Sequence, residues 1–404
     1  MTFDRRDFLV SAAAAALTAT TNDKAFAATP ATVTLPMENG TRPLVAFPQK
    51  RPLLMLSPRP PLLETPFSVF DEGVLTPNDA FYVRWHLSGI PTTVDGDAHR
   101  IIVHGKVKRP LSLSVADLRT AFKPVEIVAV NQCSGNSRGL FSPRVPGGQW
   151  DNGAMGNARW TGVRLTDVLA RAGLEEGVRQ VRFHGLEHPA LSTTPPFVKA
   201  LPLDDIFDKG DVMIAYEMNG APLPLLNGYP VRLVVPGWFA TYWTKMLSDI
   251  EVIDTVDDNF WMKTAYRIPE TPGNTVTPTQ TGYKTVPINK MSVRSFVTNV
   301  QDGGTLRASA RTIRGIAFDG GSGIKSVQLS TDGGATWRNA ALGADYGRYS
   351  FRRWEAPFAG RPGRTYTLAC RATANSGETQ TTVPVWNPGG YLRNVIETYT
   401  VSVS

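Results

Sequence analysis

The chain has 404 residues, enough for two or three domains each with its own hydrophobic core, and 42% of them are hydrophobic against 19% charged, the balance of an ordinary soluble globular protein. The 36 glycines and 31 prolines predict many turns and argue against a helix bundle. The net charge of +7 suits small anions or an acidic protein partner, and the lack of any Lys/Arg run or basic helix makes nucleic acid the weaker choice.

The N-terminus carries the first sharp signal. Residues 4–10 read DRRDFLV, an Ala-rich apolar run follows through Leu17, and Ala25-Phe26-Ala27 supplies a small-x-small cleavage site. A signal peptide is therefore expected over residues 1–27. Its apolar part is too short to span a bilayer, and no later run approaches that length. Arg5 and Arg6, followed by Phe8-Leu9, resemble a twin-arginine export signal, with an ordinary secretion signal as the plainer alternative. The twin-arginine route exports folded proteins, as a cofactor inserted in the cytoplasm would require. The expected location is the periplasm.

Residues 28–65 are Pro-rich and predict an irregular, extended arm. Over residues 66–285 the pattern is short strands with a few helices. Strands are expected at 101–107, 125–130 and 231–235, and helices at 114–121 and 165–172, the latter stopped by Gly173. Residues 286–404 change texture. Alternating runs at 316–318, 326–329, 349–351, 366–372 and 396–403 are punctuated by Asp-Gly-Gly at 302–304, 319–321 and 332–334. That spacing predicts a β-sandwich.

There are two cysteines, Cys133 and Cys370. In an oxidising compartment a disulfide is the default, and a free thiolate on a metal is the functional alternative. Neither lies in a CxxCH haem motif or a CxxC cluster. Cys370, in TYTLACRA, reads as a packed thiol of the sandwich core, unable to reach Cys133 in the other domain. Three segments stand out around Cys133. In FYVRWH (81–86), Arg84 and His86 share one face of an extended strand. NQCSGNSR (131–138) places Cys133, Gly135 and Arg138 in one loop, and 229–247 carries Arg232, Tyr242, Thr244 and Lys245. A lone cysteine among arginines is what a thiolate metal ligand and an anionic substrate would need. The bland alternatives are a structural cysteine, surface ion pairs and a structural histidine.

From about residue 65 onward the chain resembles the sulfite oxidase family of molybdopterin enzymes. The segments FYVRWHLSGIP, VKRPLSLSVADLR, NQCSGNSR, WTGVRLTDVLARAG, AYEMNGAPLPLLNGYPVRLVVPG, STDGGATW and VPVWNPGGYLRN carry the resemblance, in that order. It implies an α+β architecture: a mixed α/β molybdopterin-binding domain followed by an immunoglobulin-like sandwich that mediates dimerisation. It implies Cys133 as the molybdenum ligand, Arg84, Arg138 and Tyr266 at the reacting anion, and Tyr82, His86, Arg232, Thr244 and Lys245 on the pterin cofactor. Arg352 is a candidate third anion-binding arginine. The chain departs from the animal enzymes at Ser137, where they have arginine, and at Asn227, where they have a pterin-binding histidine.

The reaction implied is sulfite to sulfate, with no haem expected in this chain and a c-type cytochrome as acceptor, either a tight subunit or a diffusing partner. A homodimer and a heterodimer with the cytochrome both fit. The nearest rival is a sulfane-sulfur dehydrogenase of a thiosulfate-oxidising complex. The rival of another class, a non-catalytic periplasmic binding module, would make Cys133 merely structural.

Overall fold

The computed structural model describes residues 31–404, so the expected export signal lies outside the described residues. Residues Thr32–Ser404 pack as one unit. Its first element corrects the expected irregular arm. Thr32–Thr34, Thr41–Val45, Leu53–Pro58 and Pro61–Glu64 pair in succession, and the last of them pairs with Val83–Arg84. Pro58 and Pro61 face each other at the end of a hairpin, where neither breaks the ladder. Leu53 and Leu63 are fully buried against Val83, Trp85 and Met246. Burial of these leucines therefore outweighs the proline content.

The middle of the chain carries two sheets. In one, Pro124–Gln132 and Met155–Arg164 form a long antiparallel pair that continues into Met213–Met218. In the other, Gln180–Gly185 lies between Val198–Pro202 and Leu247–Ile253, and Leu247–Ile253 runs parallel to Ile101–Gly105. Helix Val115–Ala121 starts at a reciprocal cap between Ser114 and Asp117. Helix Leu165–Ala172 buries Leu165, Val168, Leu169 and Ala172 and stops at Gly173, whose φ of 70° favours glycine. Among the described residues no helix is long and apolar enough to cross a membrane.

The C-terminal part is a sandwich of a four-stranded and a five-stranded sheet around its own core of Val293, Ile313, Val327, Trp354, Leu368 and Cys370. Cys370 is buried in strand Thr365–Ala374, and burial pushes its thiol up to about 12. Both cysteines are free. The strand expected at 349–351 begins instead at Arg352. Tyr349 is used elsewhere: its carbonyl accepts from Val130 N–H and its hydroxyl donates to Asp211, which docks the sandwich on the first sheet.

That seam positions the site. Arg294, 1% exposed, donates to Ser137 Oγ, Asn152 Oδ1 and Glu397 Oε1 at 2.9, 3.2 and 3.0 Å. Trp386 Nε1 donates to Pro143 O at 2.8 Å. Burial draws the Arg294 guanidinium down to about 10, so its carboxylate partner Glu397 is needed to hold the charge. Replacing Arg294 with Met strands Glu397 in the seam and should cost about 3–5 kcal/mol of unfolding free energy in a denaturant titration. A loss within the scatter of surface substitutions would show that this ion pair does not hold the two parts together.

Candidate functional site

Cys133 follows directly on strand Pro124–Gln132, and its loop is fixed from three sides. Cys133 N–H donates to Ala154 O at 2.9 Å, Asn136 Oδ1 accepts from Ala154 N–H, and Ser137 turns the chain at φ 70° while donating to Asp151 O. Below it, the Glu64 carboxyl accepts from the backbone N–H groups of Gly153 and Asp151 at 2.7 and 3.1 Å. Burial, with Asp151 alongside, pushes this carboxyl up to about 8. Strand Pro61–Glu64 thus braces the 151–153 turn that holds the cysteine loop.

Cys133 opens into a concave, partly open cavity. Tyr82, Arg84, His86, Arg232, Lys245 and Tyr266 also line it, so most of the residues singled out in the sequence come together. Arg84 Nη2 donates to the Tyr266 hydroxyl at 2.7 Å. Burial pulls the Arg84 guanidinium down, but Tyr266, Cys133 and Glu187 more than offset this, so its charge is held above the usual range. Tyr82 donates to Asn131 Oδ1 at 2.6 Å. The His86 ring stacks on Phe197, 3.4 Å between centroids, with Nδ1 3.7 Å from Glu187 Oε1. Burial first, then the cations Arg84, Lys245 and Lys199, keep this imidazole well below its usual pKa and therefore neutral. Arg232 donates to the carbonyls of Asn227 and Trp243 at 3.0 and 3.1 Å.

Some expected residues sit differently. Arg138 is beside the cavity rather than on its wall, with Nε on Gly389 O at 3.0 Å. Thr244 is tied by its carbonyl to Leu233 N–H, and Thr241 is the threonine that lines the cavity. Arg352, the candidate third arginine, is not on the wall either: it pairs with Asp345 at 2.9 Å on the sandwich.

Other site residues left no mark in the sequence. Lys50, from the N-terminal sheet, donates to Asn227 Oδ1, and Asn227 Nδ2 donates to Tyr82 O at 3.0 Å. Glu187 accepts from the N–H groups of His86 and Leu87. Lys199 is buried with its ammonium 4.5 Å from the Tyr242 ring centroid and 5.5 Å from that of Tyr266. Each is a single charged residue in an unremarkable local pattern, brought in by tertiary folding alone.

Comparison with known proteins agrees with this geometry. Residues 87–261 match the oxidoreductase molybdopterin binding domain, and residues 285–403 match the Mo-co oxidoreductase dimerisation domain. The chain is similar to sulfite oxidase of Gallus gallus, 34% identical over 87% of this chain and 78% of that protein. It is also similar to mitochondrial sulfite oxidase of Homo sapiens, 35% identical over 90% of this chain and 68% of that one. Its fold matches the crystal structure of the sulfane dehydrogenase SoxCD from Paracoccus pantotrophus, with a TM-score of 0.72 at 24% identity, covering 86% of this chain and 85% of that one.

The cofactor of such a domain is the molybdenum–molybdopterin group, and the residues fit it. Buried polar atoms without a protein partner gather on this cavity's wall: Arg84 Nη1, both His86 nitrogens, Asn131 Nδ2, Ser134 Oγ, Arg232 Nε and the Thr241 hydroxyl. Orphans of this kind are rare in a native interior, and a polar occupant of the cavity would satisfy them. Among the described residues no three His, Cys, Asp or Glu side chains gather as a metal site. A metal at Cys133 must therefore bring most of its own ligands, as a pterin dithiolene does.

Burial pulls the Lys245 ammonium down to about 7, with Glu187 opposing and Arg232 and Arg84 assisting. Its unfolded value is about 10.4. Between the two the unfolded chain binds the extra proton, so this lysine makes stability rise with pH across that window. In cofactor-free protein, the stability of the wild type relative to Lys245→Met should climb by up to ~1.4 kcal/mol per pH unit between pH 7.5 and 9.5 in urea titrations. Parallel pH profiles would contradict the buried, uncompensated charge.

Proposed function

Because the chain belongs to the sulfite oxidase family of molybdopterin-dependent oxidoreductases, we propose that it oxidises sulfite to sulfate and passes the electrons to a c-type cytochrome. The observation that carries this reading is a cysteine thiol sharing one cavity with the guanidiniums of Arg84 and Arg232 and the ammonium of Lys245. Bound there, the molybdenum cofactor supplies oxygen-atom transfer to sulfur and accepts the electron pair.

The chain's own residues have separable roles. Cys133 is the metal ligand, its loop held rigid by Ala154 and Asn136. Arg84 keeps Nη1 free of any protein acceptor, which leaves it to bind a sulfite oxygen while Nη2 holds Tyr266. The Tyr266 hydroxyl accepts from Arg84, so its own proton is available to donate, and burial raises its pKa so that the proton stays in place. Arg138 adds positive charge beside the cavity and offsets the crowding of negative charge during the reaction. Arg232 and Lys245 suit the cofactor's phosphate, a dianion for which both are pre-placed. Tyr82, Thr241 and neutral His86 offer hydrogen bonds to its polar rings.

The arginine-lined pocket and the relatives named sulfite oxidase favour sulfite over a sulfane-sulfur substrate, since the likeness to the sulfane dehydrogenase extends to the fold. The sandwich matches a dimerisation domain, which favours a dimer, either with a second copy or with the cytochrome. The Arg5-Arg6 signal favours export to the periplasm by the twin-arginine route, after the cofactor is inserted.

Two substitutions test these assignments. Cys133→Ser should abolish sulfite turnover while circular dichroism and the unfolding midpoint stay close to wild type; retained turnover would remove Cys133 as the ligand. Arg84→Met should raise KM for sulfite by roughly 10- to 150-fold, the equivalent of one lost charge-assisted hydrogen bond, with molybdenum content preserved. An unchanged KM would place Arg84 outside the anion site.

A further inference from the structure

The segment of the sandwich around 386–393 reaches back to the Cys133 loop. Asn387, fully buried, exchanges two hydrogen bonds with the backbone of Tyr391, its Nδ2 on Tyr391 O at 2.9 Å and its Oδ1 accepting Tyr391 N–H at 3.1 Å. Trp386 anchors the turn on Pro143, and Val276 N–H donates to Trp386 O. The turn so fixed places the Tyr391 ring 5.9 Å from the Tyr266 ring, nearly parallel at 18°. On its other contact, the Arg138 guanidinium lies 5.2 Å from the Tyr391 centroid.

Arg138 is held in an unusual way for an arginine at a domain seam. Its acceptors include two carbonyls, Gly389 O at 3.0 Å and Gly148 O at 3.4 Å, and the Tyr391 hydroxyl also faces it. Its guanidinium packs so closely on the backbone of Gly135 that an added Cβ there would lie 2.5 Å from Nη1. A carboxylate partner would orient the group equally well but would cancel its charge. An aromatic ring and carbonyl dipoles orient it while leaving the charge available.

We propose that Tyr391, delivered by the sandwich, is a positioning residue of the anion site, whose ring fixes Arg138 for binding of a sulfur oxyanion. The proposal rests on Arg138 being an anion-binding residue, as assigned above. It gives the sandwich a part in substrate binding. The contacts Arg84–Tyr266, Tyr266–Tyr391 and Tyr391–Arg138 form one continuous chain that fixes both guanidiniums relative to each other.

The test compares Tyr391→Phe, Tyr391→Met and Tyr391→Leu in the molybdenum-loaded enzyme, by sulfite kinetics and by calorimetric titration with sulfate. Met and Leu should raise KM for sulfite and weaken sulfate binding by roughly three- to thirtyfold with kcat little changed, while Phe, which keeps the ring, stays closer to wild type than either. Met keeps the bulk of the side chain, so it reports on the ring even if Leu disturbs the fold. Unchanged sulfate affinity in the Met variant would overturn the proposal, as would a Phe variant as poor as Met. A fall in kcat at constant KM would overturn it too. A wild type that binds sulfate but does not oxidise sulfite would instead sink the proposed reaction and leave the sulfate titration to decide the role of Tyr391.

Discussion

Burying positive charge without a matching negative one is the constraint on which this structure turns. Arg84, Arg232 and Lys245 line one cavity, with Lys199 and Lys50 close behind its walls, and Glu187 is the carboxylate set among them. Water is largely excluded there, so each cation carries a desolvation cost. Arg84 has that cost more than offset by Tyr266, Cys133 and Glu187, but Arg232 and the three lysines carry one that their protein partners do not offset in full. Burial lowers Arg232 to about 10 and each of the three lysines to about 7. An anionic occupant relieves all of these together. The site is built to be stable when filled, and filling it with a phosphate-bearing cofactor and an oxyanion is what the chemistry requires.

Much of the remaining architecture holds that arrangement in place. The N-terminal sheet supplies Lys50 under Asn227 and Glu64 under the Asp151–Gly153 turn, so an apparently peripheral segment braces both the cofactor wall and the cysteine loop. The sandwich grips the same loop from the opposite direction, through Arg294 on Ser137, Trp386 on Pro143 and Gly389 on Arg138. Ser137 is informative here. It is a small hydroxyl in the left-handed region that accepts from the buried Arg294, so the position serves the seam.

How much of this was legible beforehand follows from how far each signal is local. Cys133, Arg84, His86 and Arg232 lie in short motifs whose spacing and family likeness place them, and all four meet at the cavity. Helix Leu165–Ala172 agrees with its prediction because its apolar spacing and Gly173 stop are both local. The N-terminal segment forms strands despite its prolines because Leu53, Leu54 and Leu63 are buried, while Pro58 and Pro61 sit at a hairpin end and Pro43 is accommodated within a paired strand. The strand expected at 349–351 failed because Tyr349 docks on the catalytic part instead of pairing in the sandwich. Arg352 has the right residue type in the right domain, but its strand directs it to Asp345. Lys50, Glu187, Lys199 and Tyr391 act across the fold, through contacts that no sequence window contains.

The most direct measurement is metal analysis of the purified protein, matured with a full cofactor supply, together with sulfite-dependent reduction of cytochrome c by the same sample. The account predicts about one molybdenum per chain, fixed by its single cavity cysteine, and turnover that depends on sulfite. Protein that folds, binds no molybdenum and leaves cytochrome c oxidised in the presence of sulfite would contradict it.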